Sequence, residues 1–267
     1  MAKSYGFVGL GELGGKLATS LAKAGFAVWV HDLDRARAAA PIEAGAVWAE
    51  SPGAAAEDAD GFVSCLPSPA ASDAVMTGKD GALAAMKPGS AWLEMSTSEA
   101  VEIRRLAALA AERGVETLEC PVTGGVHRAA QGEITVFVGG EAAVLQAHRP
   151  ALSAMCGPLF HLGPLGSASI LKVITNMLTF VDLVAAGEVM SLAAKAGLDL
   201  KQCYSAICGS SGNSVEFETY IPRVLEGSYN SGFTMALTLK DIGFVTALGR
   251  ELGVPLKLAT LVEQHFV

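Results

Sequence analysis

The first half of the chain alternates short β-branched or apolar runs with alanine-rich amphipathic stretches, a rhythm that predicts repeated βαβ units around a parallel sheet. Strands are expected at Tyr5–Val8, Ala27–His31, Gly61–Cys65, Ala91–Glu94, Glu116–Glu119 and Ile134–Val138, and helices at Gly14–Ala24, Ser98–Glu112 and Glu141–Met155. Pro67, Pro69 and Pro121 each fall just past a strand, where a missing N–H can end a ladder and shape a loop. From Ser167 the period changes. Residues 167–196 form one long helical pattern without proline, apolar on nearly every face, which suits a helix buried between domains or subunits. Leu198 to Val267 keeps helical spacing, with turn signals at Gly209, Gly212, Pro222, Gly227 and Gly232 and no strand alternation. The expected fold class is α/β: a doubly wound sheet over residues 1–163, joined by the long helix to an all-helical domain over 164–267.

Composition narrows the function classes. Of 267 residues, 51% are apolar and 17% charged, enough for a large core with apolar surface left for a partner subunit, so a homodimer or homotetramer is expected. A net charge of −8, with no local Lys/Arg cluster, would repel a phosphate backbone and argues against nucleic acid. The long helix invites a membrane reading, but Lys172, Asn176, Asp182, Glu188 and Lys195 interrupt it too often for about 20 residues of hydrocarbon. The five cysteines are scattered without a C-x-x-C pair and read as reduced, mostly buried apolar residues. The five histidines have no metal-ligand spacing, so no metal is expected, and there is no G-x-S-x-G elbow. Met1 to Ser4 leads straight into a strand without a cleavage site, which makes the cytoplasm the expected location.

The strongest chemical signal follows the first strand. Gly9-Leu10-Gly11-Glu12-Leu13-Gly14 matches G-x-G-x-x-G and opens a helical run. In that context Gly9 allows a tight turn, Gly11 lets a pyrophosphate approach the backbone, Gly14 lets helix and strand pack closely, and the helix N-terminus supplies N–H groups. The second strand ends at Asp32, about 20 residues on, where a carboxylate hydrogen-bonds adenosine ribose hydroxyls and repels a 2′-phosphate. This favours NAD over NADP, softened by Arg35 and Arg37 nearby, and the first domain reads as Rossmann-type. Asp32 could instead cap the following helix.

Lys172 stands in the first turns of the long helix among apolar residues, with Asn176 four residues on and so on the same face. A low-dielectric setting disfavours ammonium and suits proton transfer, although such a lysine can equally snorkel to the surface.

Together these motifs resemble the β-hydroxyacid dehydrogenase family, in its 3-hydroxyisobutyrate dehydrogenase-like form. The matching segments are Gly9–Gly14, Met95-Ser96-Thr97, Pro121–Gly125 with Gly132–Thr135, Gly163–Gly166 leading to Lys172 and Asn176, and Lys240-Asp241-Ile242-Gly243. The resemblance implies that Lys172 is the general acid/base and that Asn176 orients substrate or lysine. It implies further that Thr123, Gly124 and Gly125 hold a small substrate's carboxylate, that Leu66, Pro67 and Thr97 line the cofactor, and that Lys240 closes over it. The expected activity is NAD-dependent oxidation of a small β-hydroxy acid, 3-hydroxyisobutyrate-like, to its semialdehyde. Two alternatives stand beside it: a reductase of tartronate semialdehyde, a related aldehyde acid or an imine, and a non-catalytic dinucleotide-binding module. Thr123, Glu119 and Thr175 stand where the family commonly has serine, aspartate and asparagine, and Val215 where bacterial members of the branch often carry tryptophan. The helical pattern is still running at Val267, where the family continues with a further segment.

Overall fold

The computed structural model describes residues 3–229 and 232–267. The chain divides into two compact units, one ending at Lys172 and the other beginning at Val173.

In the first unit, β1 (Ser4–Val8), β2 (Ala27–His31), β3 (Val47–Trp48), β4 (Gly61–Ser64), β5 (Ala91–Glu94) and β6 (Glu116–Glu119) form a parallel sheet ordered β3-β2-β1-β4-β5-β6. All four residues of β4 and of β5 are buried, so neither strand alternates, and each ends in a buried polar residue, Ser64 and Glu94. Helices α1 (Gly14–Lys23), α2 (Ala39–Glu43), α3 (Pro52–Ala56), α4 (Pro69–Thr77), α5 (Ala82–Ala85) and α6 (Ala100–Ala111) make the crossovers. Two apolar clusters result, one around Phe7, Leu17, Leu21 and Leu93 and one around Phe62, Met76, Trp92 and Ile103. The chain reverses its direction of travel across the sheet between β1 and β4, whose last residues, Val8 and Ser64, are register partners. Ligands of such sheets bind beyond the carboxyl ends of the strands at that reversal.

Beyond β6 the unit adds a smaller sheet. β7 (Val122–Thr123) runs antiparallel to β8 (Thr135–Val138), and β9 (Leu159–His161) runs parallel to β8, with α7 (Gly125–Ala130) and α8 (Ala142–Met155) between them. The strand read at Ile134–Val138 therefore belongs to this sheet and not to the main one. An isolated bridge between Glu119 and Gly139 joins the two sheets, each residue donating its N–H to the other's carbonyl at 3.0 Å.

Helix α9 (Ser167–Lys195) runs on into the second unit, which contains α10 (Leu200–Cys208), α11 (Val215–Leu225), α12 (Met235–Glu251) and α13 (Lys257–Phe266). Val173 and Phe180 pack against Ile242, Val245 and Val262; Ala186 and Met190 pack against Phe217 and Ile221. Within the single chain α9 is only partly covered. Ile174, Leu178, Val189 and Leu192 are exposed, because the helices of this unit cover only part of its circumference. By length and composition α9 would meet the requirement for a membrane span, with 22% of its apolar stretch buried.

Candidate active site

The glycine turn sits at the carboxyl end of β1, and its three glycines meet different demands. Gly9 has φ +93°, a left-handed conformation, and a Cβ there would overlap the Cys65 carbonyl of the neighbouring strand end. A Cβ on Gly14 would overlap the Gly9 carbonyl, so its lack of a side chain lets α1 pack on the turn. Gly11 is the exception. Its Cβ would meet only the flexible end of Arg37, at 3.4 Å, so the protein's own packing does not require glycine there. An anion approaching the backbone does require it, and α1 has neither a side-chain cap nor an acidic residue in its first turn to compete. Leu10, Glu12 and Leu13 complete the turn, Leu10 buried and Glu12 exposed. These residues fit a dinucleotide pyrophosphate.

Asp32 faces the same turn. Its Oδ2 accepts from Leu10 N–H at 2.6 Å and its Oδ1 from Asp34 N–H at 2.9 Å. Capping of the next short helical turn falls to Asp34, which accepts from Ala36 N–H. Arg35 lies over the Trp48 ring, 5.3 Å from its centroid, and Arg37 lies 3.6 Å from Asp34.

Leu66, Pro67 and Thr97 occupy two loops at the ends of β4 and β5. Glu94 fastens them: its buried carboxylate accepts from Ser96 N–H at 2.6 Å and from Ser64 hydroxyl at 2.9 Å, while Ser96 Oγ accepts from Leu66 N–H at 2.8 Å. Burial pushes the Glu94 carboxyl above the usual carboxylate range, against hydrogen bonds from Ser96 and Ser64. Burial, with Glu94 adding, also pushes the neighbouring Cys65 thiol up to about 12, leaving no thiolate nucleophile there at neutral pH.

Glu119, which ends β6 and is the register partner of Glu94, holds the start of α9. Its Oε1 accepts from Gly166 N–H at 2.6 Å and Ala168 N–H at 2.8 Å, and its Oε2 from Ser169 N–H at 3.2 Å and from the Ser169 hydroxyl. Arg104 grips the same segment from α6, donating to the Leu165 carbonyl at 3.0 Å. Four residues past Glu119 come Thr123 and then Gly124 and Gly125, whose φ values of +120° and +83° put two successive amides in a left-handed bend. Lys172 follows Ala168 by one helical turn and is 9% exposed.

In the second unit Asn176, one turn beyond Lys172 along α9, is buried and donates from Nδ2 to Asp241 Oδ2 at 2.8 Å. Lys240 Nζ lies 3.0 Å from the other oxygen of Asp241 and 5.4 Å from the Phe244 ring centroid. Asn176, Asp241 and Lys240 thus form one polar chain. Sequence reasoning gave no role to Glu119, Glu94 or Asp241; the available signal was a carboxylate closing an otherwise buried strand or helix face. Among the described residues no group of three or more His, Cys, Asp or Glu could hold a metal.

Residues 4–163 match the family model described as the NAD-binding domain of 6-phosphogluconate dehydrogenase, and residues 166–267 the model described as NAD-binding of NADP-dependent 3-hydroxyisobutyrate dehydrogenase. The chain is 37% identical over 248 residues to the NAD-dependent L-serine dehydrogenase of Pseudomonas aeruginosa, covering 90% of this chain and 83% of that one. It is 32% identical over 262 residues to the 2-(hydroxymethyl)glutarate dehydrogenase of Eubacterium barkeri, covering 98% and 87%. The crystal structure of 3-hydroxyisobutyrate dehydrogenase from Salmonella typhimurium superposes with a TM-score of 0.92 at 33% identity, covering 99% of this chain and 93% of that one.

Proposed function

The chain belongs to the β-hydroxyacid dehydrogenase family, oxidoreductases that act on CH–OH groups with a nicotinamide dinucleotide; from that premise we propose that it oxidises a small β-hydroxy acid, 3-hydroxyisobutyrate-like, to the semialdehyde with Lys172 as general acid/base. The observation that carries this is the tether from Glu119 to the start of α9: it ties the lysine-bearing helix to the strand end that leads into Thr123–Gly125. Thr123 hydroxyl and the Gly124 and Gly125 amides are donors for the substrate carboxylate. Lys172, as free amine, takes the hydroxyl proton in oxidation and returns it in reduction. Asn176, fixed by Asp241, orients the lysine or substrate, and Lys240 completes the cofactor side. Bound at Gly9–Gly14, Asp32, Leu66, Pro67 and Thr97, NAD supplies the hydride acceptor. Asp32 underlies the preference for NAD over NADP.

Within this reading the functional boundary falls at 163/164, just before the loop that Glu119 and Arg104 hold. The exposed face of α9 packs against a second copy of the chain, giving a homodimer or homotetramer in the cytoplasm; Asp182 and Glu188 along α9 favour a protein partner over lipid. The L-serine dehydrogenase likeness keeps serine as a second substrate reading.

The test is NADH formation across 3-hydroxyisobutyrate, L-serine and L-threonate, with wild type and Lys172→Ala. The substitution is expected to lower kcat by about 10²–10⁴-fold with NAD affinity nearly unchanged. Comparable turnover in the two proteins would remove Lys172 from the mechanism.

A further inference from the structure

We infer that Glu119 is a positioning residue for proton transfer: by capping α9 it fixes the site and charge environment of Lys172. The inference rests on the proposed acid/base role of Lys172.

Four donors from three residues converge on one buried carboxylate. The first N–H groups of a helix have no partner within it, and they carry the positive end of its dipole. Glu119 supplies both an acceptor and a full negative charge. It arrives from a strand 47 residues earlier, so the cap is also a tertiary strut. Lys172 is in the second turn of α9, and side chains in a helix lean toward its N-terminus, so the lysine leans toward this capped end. Ala168, whose amide Glu119 binds, lies four residues before Lys172 and under the same face. Arg104 holds only a carbonyl outside the helix and offers the amides no acceptor.

Two effects follow from removing the charge. Gln at 119 keeps one acceptor oxygen, so part of the amide set is released and the first turn frays. The helix end also becomes more positive, which disfavours the ammonium form of Lys172 and lowers its pKa. A purely structural cap would give the first effect alone.

The experiment uses the full-length protein and whichever of 3-hydroxyisobutyrate, L-serine and L-threonate gives wild type its highest kcat/KM. In Glu119→Gln, kcat is expected to fall about tenfold with KM for NAD within about twofold, and the acid limb of the kcat/KM profile to move down by about one pH unit. Amides of Gly166, Ala168 and Ser169 should exchange with solvent at least about tenfold faster. Glu119→Asp, which keeps the charge, should restore the limb and part of kcat. Faster exchange with unchanged kcat and pH limb overturns the inference, and so does unchanged exchange. If Glu119→Gln does not fold, Ser169→Ala removes the hydroxyl contact to Glu119 but keeps the Ser169 N–H and the charge: it should cut kcat about threefold with the limb unmoved, and wild-type kcat overturns the inference. Failure of the Lys172 role itself shows separately, as turnover by Lys172→Ala whatever Glu119 variants do.

Discussion

A side chain on residue 139 would begin where the carboxylate of Glu119 already sits, because a Cβ built on Gly139 overlaps Glu119 Oε1. The two residues are also bridged through their backbones, so neither can retreat easily. Gly139→Ala is therefore expected to push Glu119 off the start of α9, with a stability loss of about 1–3 kcal/mol from overpacking and a kcat loss like that of Glu119→Gln. Urea denaturation and steady-state kinetics check both. A variant with wild-type kcat and stability would mean that the strut yields at no cost.

The three glycines of the phosphate turn separate folding from binding. Gly14→Ala drives a methyl into the Gly9 carbonyl and should destabilise the fold by about 1–3 kcal/mol. Gly11→Ala meets only Arg37, so stability should stay within about 0.5 kcal/mol. Its NAD dissociation constant should rise at least about tenfold, since the methyl stands where the pyrophosphate approaches the backbone. Calorimetric titration with NAD decides it: wild-type affinity in Gly11→Ala would move the pyrophosphate away from this turn.

Five strands of the main sheet were legible because each is a short apolar or β-branched run set between alanine-rich helical stretches, with Gly9 just after β1 and Pro67 and Pro121 soon after β4 and β6. β3, β7 and β9 are only two or three residues long, too short to show any period, and they form through pairing with neighbours that sequence spacing does not reveal. The glycine turn, Asp32 and the start of α9 at Ser167 could be read locally. The partners that hold the site could not. Glu119 meets α9 across 47 residues and Asn176 meets Asp241 across 65, and a buried carboxylate looks the same in sequence whether it caps a helix or faces water. Glu119 therefore appeared only as a departure from the family's aspartate. The long helix was legible as a helix, but an all-round apolar pattern does not say which of its neighbours are in the same chain.

Asp32 links the turn to cofactor choice. One oxygen already orders Leu10, so the carboxylate braces the phosphate turn, and in the proposed reading its charge also disfavours a 2′-phosphate. Asp32→Ser is expected to raise the ratio of kcat/KM for NADP to that for NAD by about tenfold or more, aided by Arg37 beside Gly11. It should also cost about 1 kcal/mol of stability through the weakened brace. An unchanged cofactor ratio would leave Asp32 with the bracing role alone.

At the opposite end of the sheet, His148 gives a stability signal independent of catalysis. It is buried, with Tyr5 hydroxyl 3.0 Å from Nδ1 and Lys3 ammonium 3.4 Å from Nε2. The ammonium can only donate, so Nε2 accepts and the neutral ring carries its proton on Nδ1, toward Tyr5. Burial chiefly, and then the Lys3 charge, lower the pKa to about 4 against an opposing pull from Asp60. Between pH 6.5 and about 4 the unfolded chain binds a proton that the folded ring refuses, so this contribution is whole above pH 6.5 and is lost as pH falls toward 4. The expected loss is about 2 kcal/mol. His148→Gln removes the titrating ring and should flatten that part of the stability profile, measured by urea denaturation at pH 7.5, 6 and 4.5. If the variant loses stability on acidification as steeply as wild type, the acid sensitivity comes from other groups and His148 is already free to protonate in the folded state.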